Sequence, residues 1–101
     1  MEYKKIIKDS SCTIEVSGKF TFNDHMEFKT ILSLLKSENI KTLELNLSNL
    51  EFVDSAALGI LLILKDEAEK HSIELILRSP KGQVQKMFEI SKFYMLFNII
   101  D

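Results

Sequence analysis

The chain has 101 residues, which is one domain by length and enough for one hydrophobic core. Hydrophobic residues make up 46% of it and charged residues 28%, and 13 Lys and Arg against 15 Asp and Glu leave a formal net charge of -2. That balance speaks against the clustered basic surface that nucleic acids and anionic membranes require.

Other segments point the same way. The longest apolar run, Ala56 to Leu64, is far short of the roughly 20 residues that span a bilayer. The opening Met-Glu-Tyr-Lys-Lys lacks the apolar centre of a signal peptide. A soluble, cytoplasmic protein is expected. Cys12 is the only cysteine, so no disulfide forms within the chain, and alternation sets it beside Ile14 and Val16 as a small hydrophobe.

Tyr3 to Lys8 and Cys12 to Ser17 read as two short strands separated by the turn material Asp9-Ser10-Ser11, with Gly18 closing the second. The period then changes. Phe28, Ile31, Leu32 and Leu35 make one helical stripe that runs to about Ser37. Asn23 or Asp24 caps this helix, and Asp24 with Glu27 has the spacing of a capping box.

Thr42 to Leu47 alternates strictly, with Leu43, Leu45 and Leu47 on one face of a strand. Ser48-Asn49-Leu50-Glu51 leads out of it, and Phe52-Val53 returns to apolar character. A second helix is expected from Asp54 or Ser55 to about His71. Ile73, Leu75 and Leu77 form a further strand, Ser79-Pro80-Lys81-Gly82 breaks the chain, and Val84, Met87 and Phe88 mark a third helix. Phe93, Leu96, Phe97 and Ile99 close the core. Strands joined through helices should be parallel with right-handed crossovers, and the alternating patterns indicate a sheet covered on one face. The fold class is α/β: a small mixed sheet of about four strands with helices packed mainly on one face.

Enzyme chemistry finds no foothold. Gly18-Lys19 lacks the remainder of a phosphate loop, and His25 and His71 are far apart. His71 falls at a helix C-terminus, where a cation is favoured by the dipole. Asp66-Glu67-Ala68-Glu69 reads as a solvated helix face with Asp66 paired to Lys70 one turn on.

The unusual segment runs from Phe52 to Leu64. Asp54 is a good N-cap, which makes Ser55 the first helical residue, beside unpaired N–H groups and the positive end of the helix dipole. A phosphate there meets little structural resistance. Ala57, Leu61, Leu64 and Ala68 suffice as the stripe facing the sheet. Leu58, Ile60, Leu62 and Ile63 are left over, either buried by neighbouring helices or part of a docking surface beside the serine.

The run from Leu45 to Gly59, and above all Asp54-Ser55-Ala56-Ala57-Leu58-Gly59, resembles the signature of STAS domains in anti-sigma factor antagonists. The likeness extends through Ile73 to Leu77, Ser79-Pro80, Val84, Met87-Phe88 and Phe93 to Ile99. It implies a partner switch. In such proteins the unmodified form binds an anti-sigma factor, often a serine kinase that uses ATP, and so frees a sigma factor. The kinase phosphorylates the serine matching Ser55, the complex dissociates, and a serine phosphatase resets it.

By this resemblance Ser55 is a substrate residue, the protein is not an enzyme, and it needs no cofactor or metal of its own. The implied partner surface is Thr21, Asn23, Asp24, Asp54, Ala56, Ala57, Leu58, Gly59 and Leu62. The free protein is expected to be a monomer with no nucleic acid and no direct membrane contact. Ala56 and Ala57 stand where the family usually has Ser or Thr followed by Gly, and Thr21 stands where many relatives carry an acidic residue. The alternative is a STAS accessory subunit of a lipid ABC transporter. Those relatives usually carry Thr after the Asp, so Ser55 favours the switch.

Overall fold

Two hydrophobic alternations build the centre of the sheet. Cys12, Ile14 and Val16 lie in β2 (Ser11–Phe20), and Leu43, Leu45 and Leu47 lie in β3 (Thr42–Val53), all buried. The two strands run parallel, with Cys12 beside Leu43 and Ile14 beside Leu45. The structure is a computed structural model that describes residues 1–37 and 39–101, with the side chains of Leu34 and Ser37 outside the description.

The described elements complete a five-stranded sheet in the order β1-β2-β3-β4-β5. β1 (Glu2–Lys8) pairs antiparallel with β2, whereas β3, β4 (Glu74–Arg78) and β5 (Asn98–Ile100) all join in parallel. The expectation of about four strands missed β5. Three residues are too few for alternation to be read, and the strand exists because Ile76, Leu77 and Arg78 offer it an edge.

Both central strands also run further than expected. Gly18 does not end β2; it sits inside it with φ +83, at a register shift that lets Lys19 and Phe20 pair with Phe52 and Val53. Positive φ is open to glycine without the steric penalty a Cβ brings. Opposite it, Ser48 to Glu51 remains strand, and the inward residues after Leu47 become Leu50 and Val53.

Three helices cover one face: α1 (His25–Ser37), α2 (Ser55–Lys70) and α3 (Gly82–Ile90). Phe28, Ile31 and Leu35 from α1, Ala57, Leu61, Leu64 and Ala68 from α2, and Val84 and Phe88 from α3 join the strand residues in one core. Each large side chain so buried contributes about 1.5–3 kcal/mol. Phe20 stacks on Phe28 with ring centroids 4.6 Å apart, and Phe93 lies between Phe88 and Phe97 at 5.2 and 4.8 Å.

The opposite face is largely polar, with Ile6 and Ile76 in the row of Thr13 and Glu44. One row crosses four strands as Lys4, Glu15, Asn46 and Arg78, and Arg78 Nε pairs with Glu44 at 2.9 Å. On α2, Lys70 pairs with Glu67 at 3.5 Å rather than with Asp66, and Lys65 pairs with Glu69.

Since β2, β3 and β4 are parallel, their C-terminal ends lie on one side of the sheet. The starts of all three helices follow directly from those ends, and Ser55 is at the middle one.

Candidate functional site

Ser55 is exposed and opens α2. Asp54 before it is extended, with φ -103 and ψ 179, as an N-cap requires. Its Oδ1 accepts the Ala57 N–H at 2.8 Å, and the first intrahelical bond runs from Leu58 N–H to the Asp54 carbonyl at 3.3 Å. The N–H groups of Ser55 and Ala56 come before that bond, where a helix leaves its donors without intrahelical acceptors and its dipole is positive.

The second Asp54 oxygen reaches another element. Oδ2 accepts the Phe22 N–H at 3.1 Å, and the Asp54 N–H donates to the Phe20 carbonyl at 3.3 Å. Phe22 begins a 3-10 turn, Phe22–Asp24, that leads into α1.

The turn carries its own capping box. Thr21 Oγ1 accepts the Asn23 N–H at 3.3 Å, and Asp24 Oδ2 accepts the Thr21 N–H at 2.8 Å. The box expected from Asp24 and Glu27 is therefore formed by Thr21 and Asp24. Asp24 is 6% exposed, and its Oδ1 meets the Met1 ammonium at 2.8 Å. Burial pushes the Asp24 pKa up, but the hydrogen bonds and charge of the ammonium, with the Thr21 bonds, outweigh it and hold the carboxyl below its ordinary value.

The sequence-derived surface residues thus divide. Asn23 and Ser55 are exposed, Thr21, Asp54, Ala56 and Gly59 are half-buried, and Leu62 is 39% exposed. Asp24, Ala57 and Leu58 are buried; Ala57 has no exposed surface, and Leu58 keeps 8%. The surplus apolar residues of α2 divide as well. Leu58 joins the core, Ile60 packs against it, and Leu62 and the 53% exposed Ile63 face outward.

Sequence reasoning passed over two neighbours. Phe22 is 62% exposed and Met26 is similarly open, although both are large and apolar. His25, in the first turn of α1, holds Phe22 from behind: its Nδ1 is 2.9 Å from the Phe22 carbonyl and the two rings stack at 4.9 Å. The signal was an aromatic residue directly after the strand end, at a position the helical period does not require. Phe22, joined through its N–H to the Asp54 carboxylate, sets an exposed apolar ring on the turn next to the helix start that bears the exposed Ser55. Such an arrangement can accept a phosphoryl group and can lie against a protein partner.

His71 caps the far end of α2, 3.7 Å from Glu67. Among the described residues, no three His, Cys, Asp or Glu side chains are grouped to hold a metal ion, and no helix is long and apolar enough to cross a membrane.

Comparison with known proteins agrees with this geometry. The family model described as the STAS domain matches residues 3–101. A STAS-domain containing protein of Pseudomonas aeruginosa strain UCBPP-PA14 is 32% identical over 87 residues, covering 86% of this chain and 85% of that protein. The fold is shared with the anti-sigma factor antagonist SpoIIAA in its unphosphorylated form, with a TM-score of 0.84 at 20% identity over 97% of this chain and 87% of that one. The phosphorylated form of Bacillus SpoIIAA gives 0.74 at 19% identity over 97% and 90%. A sulfate transporter family protein from Wolinella succinogenes gives 0.81 at 18% identity over 96% and 81%.

Proposed function

The chain belongs to the STAS domain family, and from that premise we propose that it is an anti-sigma factor antagonist whose binding is gated by phosphorylation of Ser55. The supporting observation is an exposed serine hydroxyl at the first position of α2, with its flanking Asp54 carboxylate already engaged by Ala57 and Phe22. Asp54 is thus tied into the scaffold, and Ser55 is left free to be modified.

The partner is an anti-sigma factor with serine kinase activity, which binds the unmodified protein over Ser55, Asn23, Phe22, Met26, Leu62 and Ile63. It supplies the ATP. Phosphate on Ser55 brings about -1.5 to -2 charges into that contact and ends it, and a serine phosphatase restores the hydroxyl. In this cycle the chain is a substrate and a ligand rather than a catalyst. It works as a cytoplasmic monomer that regulates transcription through the sigma factor released by its partner.

The test is a pull-down from native cells with a tag at the C-terminus, followed by mass spectrometry of the partner and of Ser55. Recovery of an ATP-binding serine kinase with unphosphorylated Ser55 only is the expected result. Recovery of an ABC ATPase and permease, with no phosphate on Ser55 under any condition, would replace this reading by the accessory subunit of a lipid transporter.

A further inference from the structure

β3 outruns its neighbour. It pairs with β4 from Thr42 beside Glu74 to Asn46 beside Arg78, and the segment that leads into Ser55 continues without β4. Backbone groups on that side need another partner when they are buried.

At the wholly buried Val53 that partner is Gln83, the second residue of α3. Its Nε2 donates to the Val53 carbonyl and its Oε1 accepts the Val53 N–H, both at 2.9 Å. One carboxamide makes the pair of bonds that an adjacent strand would otherwise make. On the other side, Val53 pairs with Phe20 of β2, and Asp54 N–H donates to the Phe20 carbonyl. The two residues before Ser55 are thus held by β2, by α3 and, through the Asp54 carboxylate, by the turn at Phe22.

We propose that Gln83 is the positioning residue of Ser55 and that it couples the start of α3 to the phosphorylation state of that serine. The inference rests on Ser55 being the switch residue. A phosphate on Ser55 repels the neighbouring Asp54 carboxylate, which caps Ala57 and holds Phe22. Movement of Asp54 passes to Val53, one residue back, and Gln83 holds both backbone groups of Val53, so the first turn of α3 follows. Such coupling is reciprocal: whatever displaces α3 changes how Ser55 is presented.

The test of the coupling itself needs no partner. The 15N-labelled chain is prepared with serine or with co-translationally incorporated phosphoserine at position 55, and amide resonances are compared. Phosphoserine is expected to shift Gly82, Gln83 and Val84 as well as Ala57. In Gln83→Met, which keeps the length but forms neither bond, the Ala57 shift should persist and the α3 shifts should vanish. Exchange of the Val53 amide should quicken by about tenfold in that variant. Gln83→Glu retains an acceptor for the Val53 N–H and loses the donor to its carbonyl, so it should fall between the two and serves if Gln83→Met does not fold. Silent α3 resonances in the wild type, or equal α3 shifts in wild type and Gln83→Met, would overturn the coupling. An α3 response together with phosphate-insensitive partner binding would instead leave the coupling standing and remove the switch reading.

Discussion

The Asp54 carboxylate accepts the backbone N–H of Phe22, 32 residues earlier in the chain, at 3.1 Å. Its other oxygen caps α2 through Ala57. One side chain therefore sets both the start of the helix that bears Ser55 and the turn that presents Phe22, and removing it should disturb both. Asp54→Ala is expected to cost about 2 kcal/mol, roughly 1 for the cap and the rest for the charge-assisted bond. In a domain of this size that is a fall of roughly 10 °C in melting temperature. Asp54→Asn keeps an acceptor for Ala57 but presents an amide toward Phe22, and should lose about half as much. Thermal denaturation of the three proteins checks the order; equal stability of Asp54→Ala and wild type would refute the double role.

Leu58 and Ile63 separate core from surface on the same helix. Leu58 is packed into the core, so Leu58→Asp buries a carboxylate without a partner and should cost several kcal/mol, enough to unfold the domain. Ile63 faces solvent, and Ile63→Asp should stay within about 0.5–1 kcal/mol of wild type while weakening partner binding. Circular dichroism melts with a binding titration distinguish the two. An unfolded Ile63→Asp would place that residue in the core after all.

Gly59 lies one turn beyond Ser55 on α2, and a Cβ built there meets nothing within 4 Å. Its backbone is helical, so the isolated fold has no use for a missing side chain, and glycine there costs about 0.5–1 kcal/mol relative to alanine. On the proposed function, glycine at this turn leaves room for the close approach of a partner. Gly59→Ala is expected to raise the melting temperature by a few degrees and to weaken partner binding. A variant that is more stable and binds as tightly as wild type would count against contact at this turn.

Much of this arrangement was legible in the sequence. The stripe Ala57, Leu61, Leu64 and Ala68 and the alternation of Leu43, Leu45 and Leu47 are pure periodicity, and they mark the buried faces. What escaped depended on partners distant in sequence. Leu47, Leu50 and Val53 are three apart because β3 carries an extra residue at each of its two register shifts against β2, and no local pattern announces that. Thr21-x-x-Asp24 and Asp24-x-x-Glu27 have the same spacing; the Met1 ammonium, 23 residues away, engages Asp24 and leaves Thr21 as the cap. Leu58 and Ile63 are equally apolar, and only the packing of α1 and the sheet around α2 tells them apart.

The ion pair of Asp24 makes stability depend on acid. Its pKa is lowered in the folded state, so its contribution is fully present above the ordinary value of 3.8 and is lost as pH falls through the folded value. Wild type should therefore lose stability below about pH 4 more steeply than Asp24→Asn, which has no carboxylate to protonate at that position. At neutral pH the substitution leaves the ammonium without a counter-charge and is expected to cost about 1–3 kcal/mol. Urea denaturation of both proteins from pH 7 to pH 3 measures the difference; parallel curves would mean that the pair contributes nothing.

Ser55→Asp tests the switch at the level of energy. At the first position of α2 an added carboxylate meets the positive end of the helix dipole, worth about 0.3–1 kcal/mol, set against repulsion from Asp54 in an exposed position. The two effects are of similar size and opposite sign, so the melting temperature should stay within a few degrees of wild type. In the proposed complex the same charge would lie in a desolvated contact, where without a counter-ion it costs several kcal/mol. Each 1.4 kcal/mol is about tenfold in affinity, so binding to the partner recovered from cells should fall by roughly two orders of magnitude or more. Ser55→Ala removes only a hydroxyl from an exposed position; it should bind as wild type does and become insensitive to incubation with kinase and ATP. A paired titration of the three forms, with a melt on each, separates fold from contact. Equal affinity of wild type and Ser55→Asp, with Ser55 unphosphorylated after incubation with kinase and ATP, would leave the gate without support, because the same fold would then be binding its partner regardless of charge at the helix start.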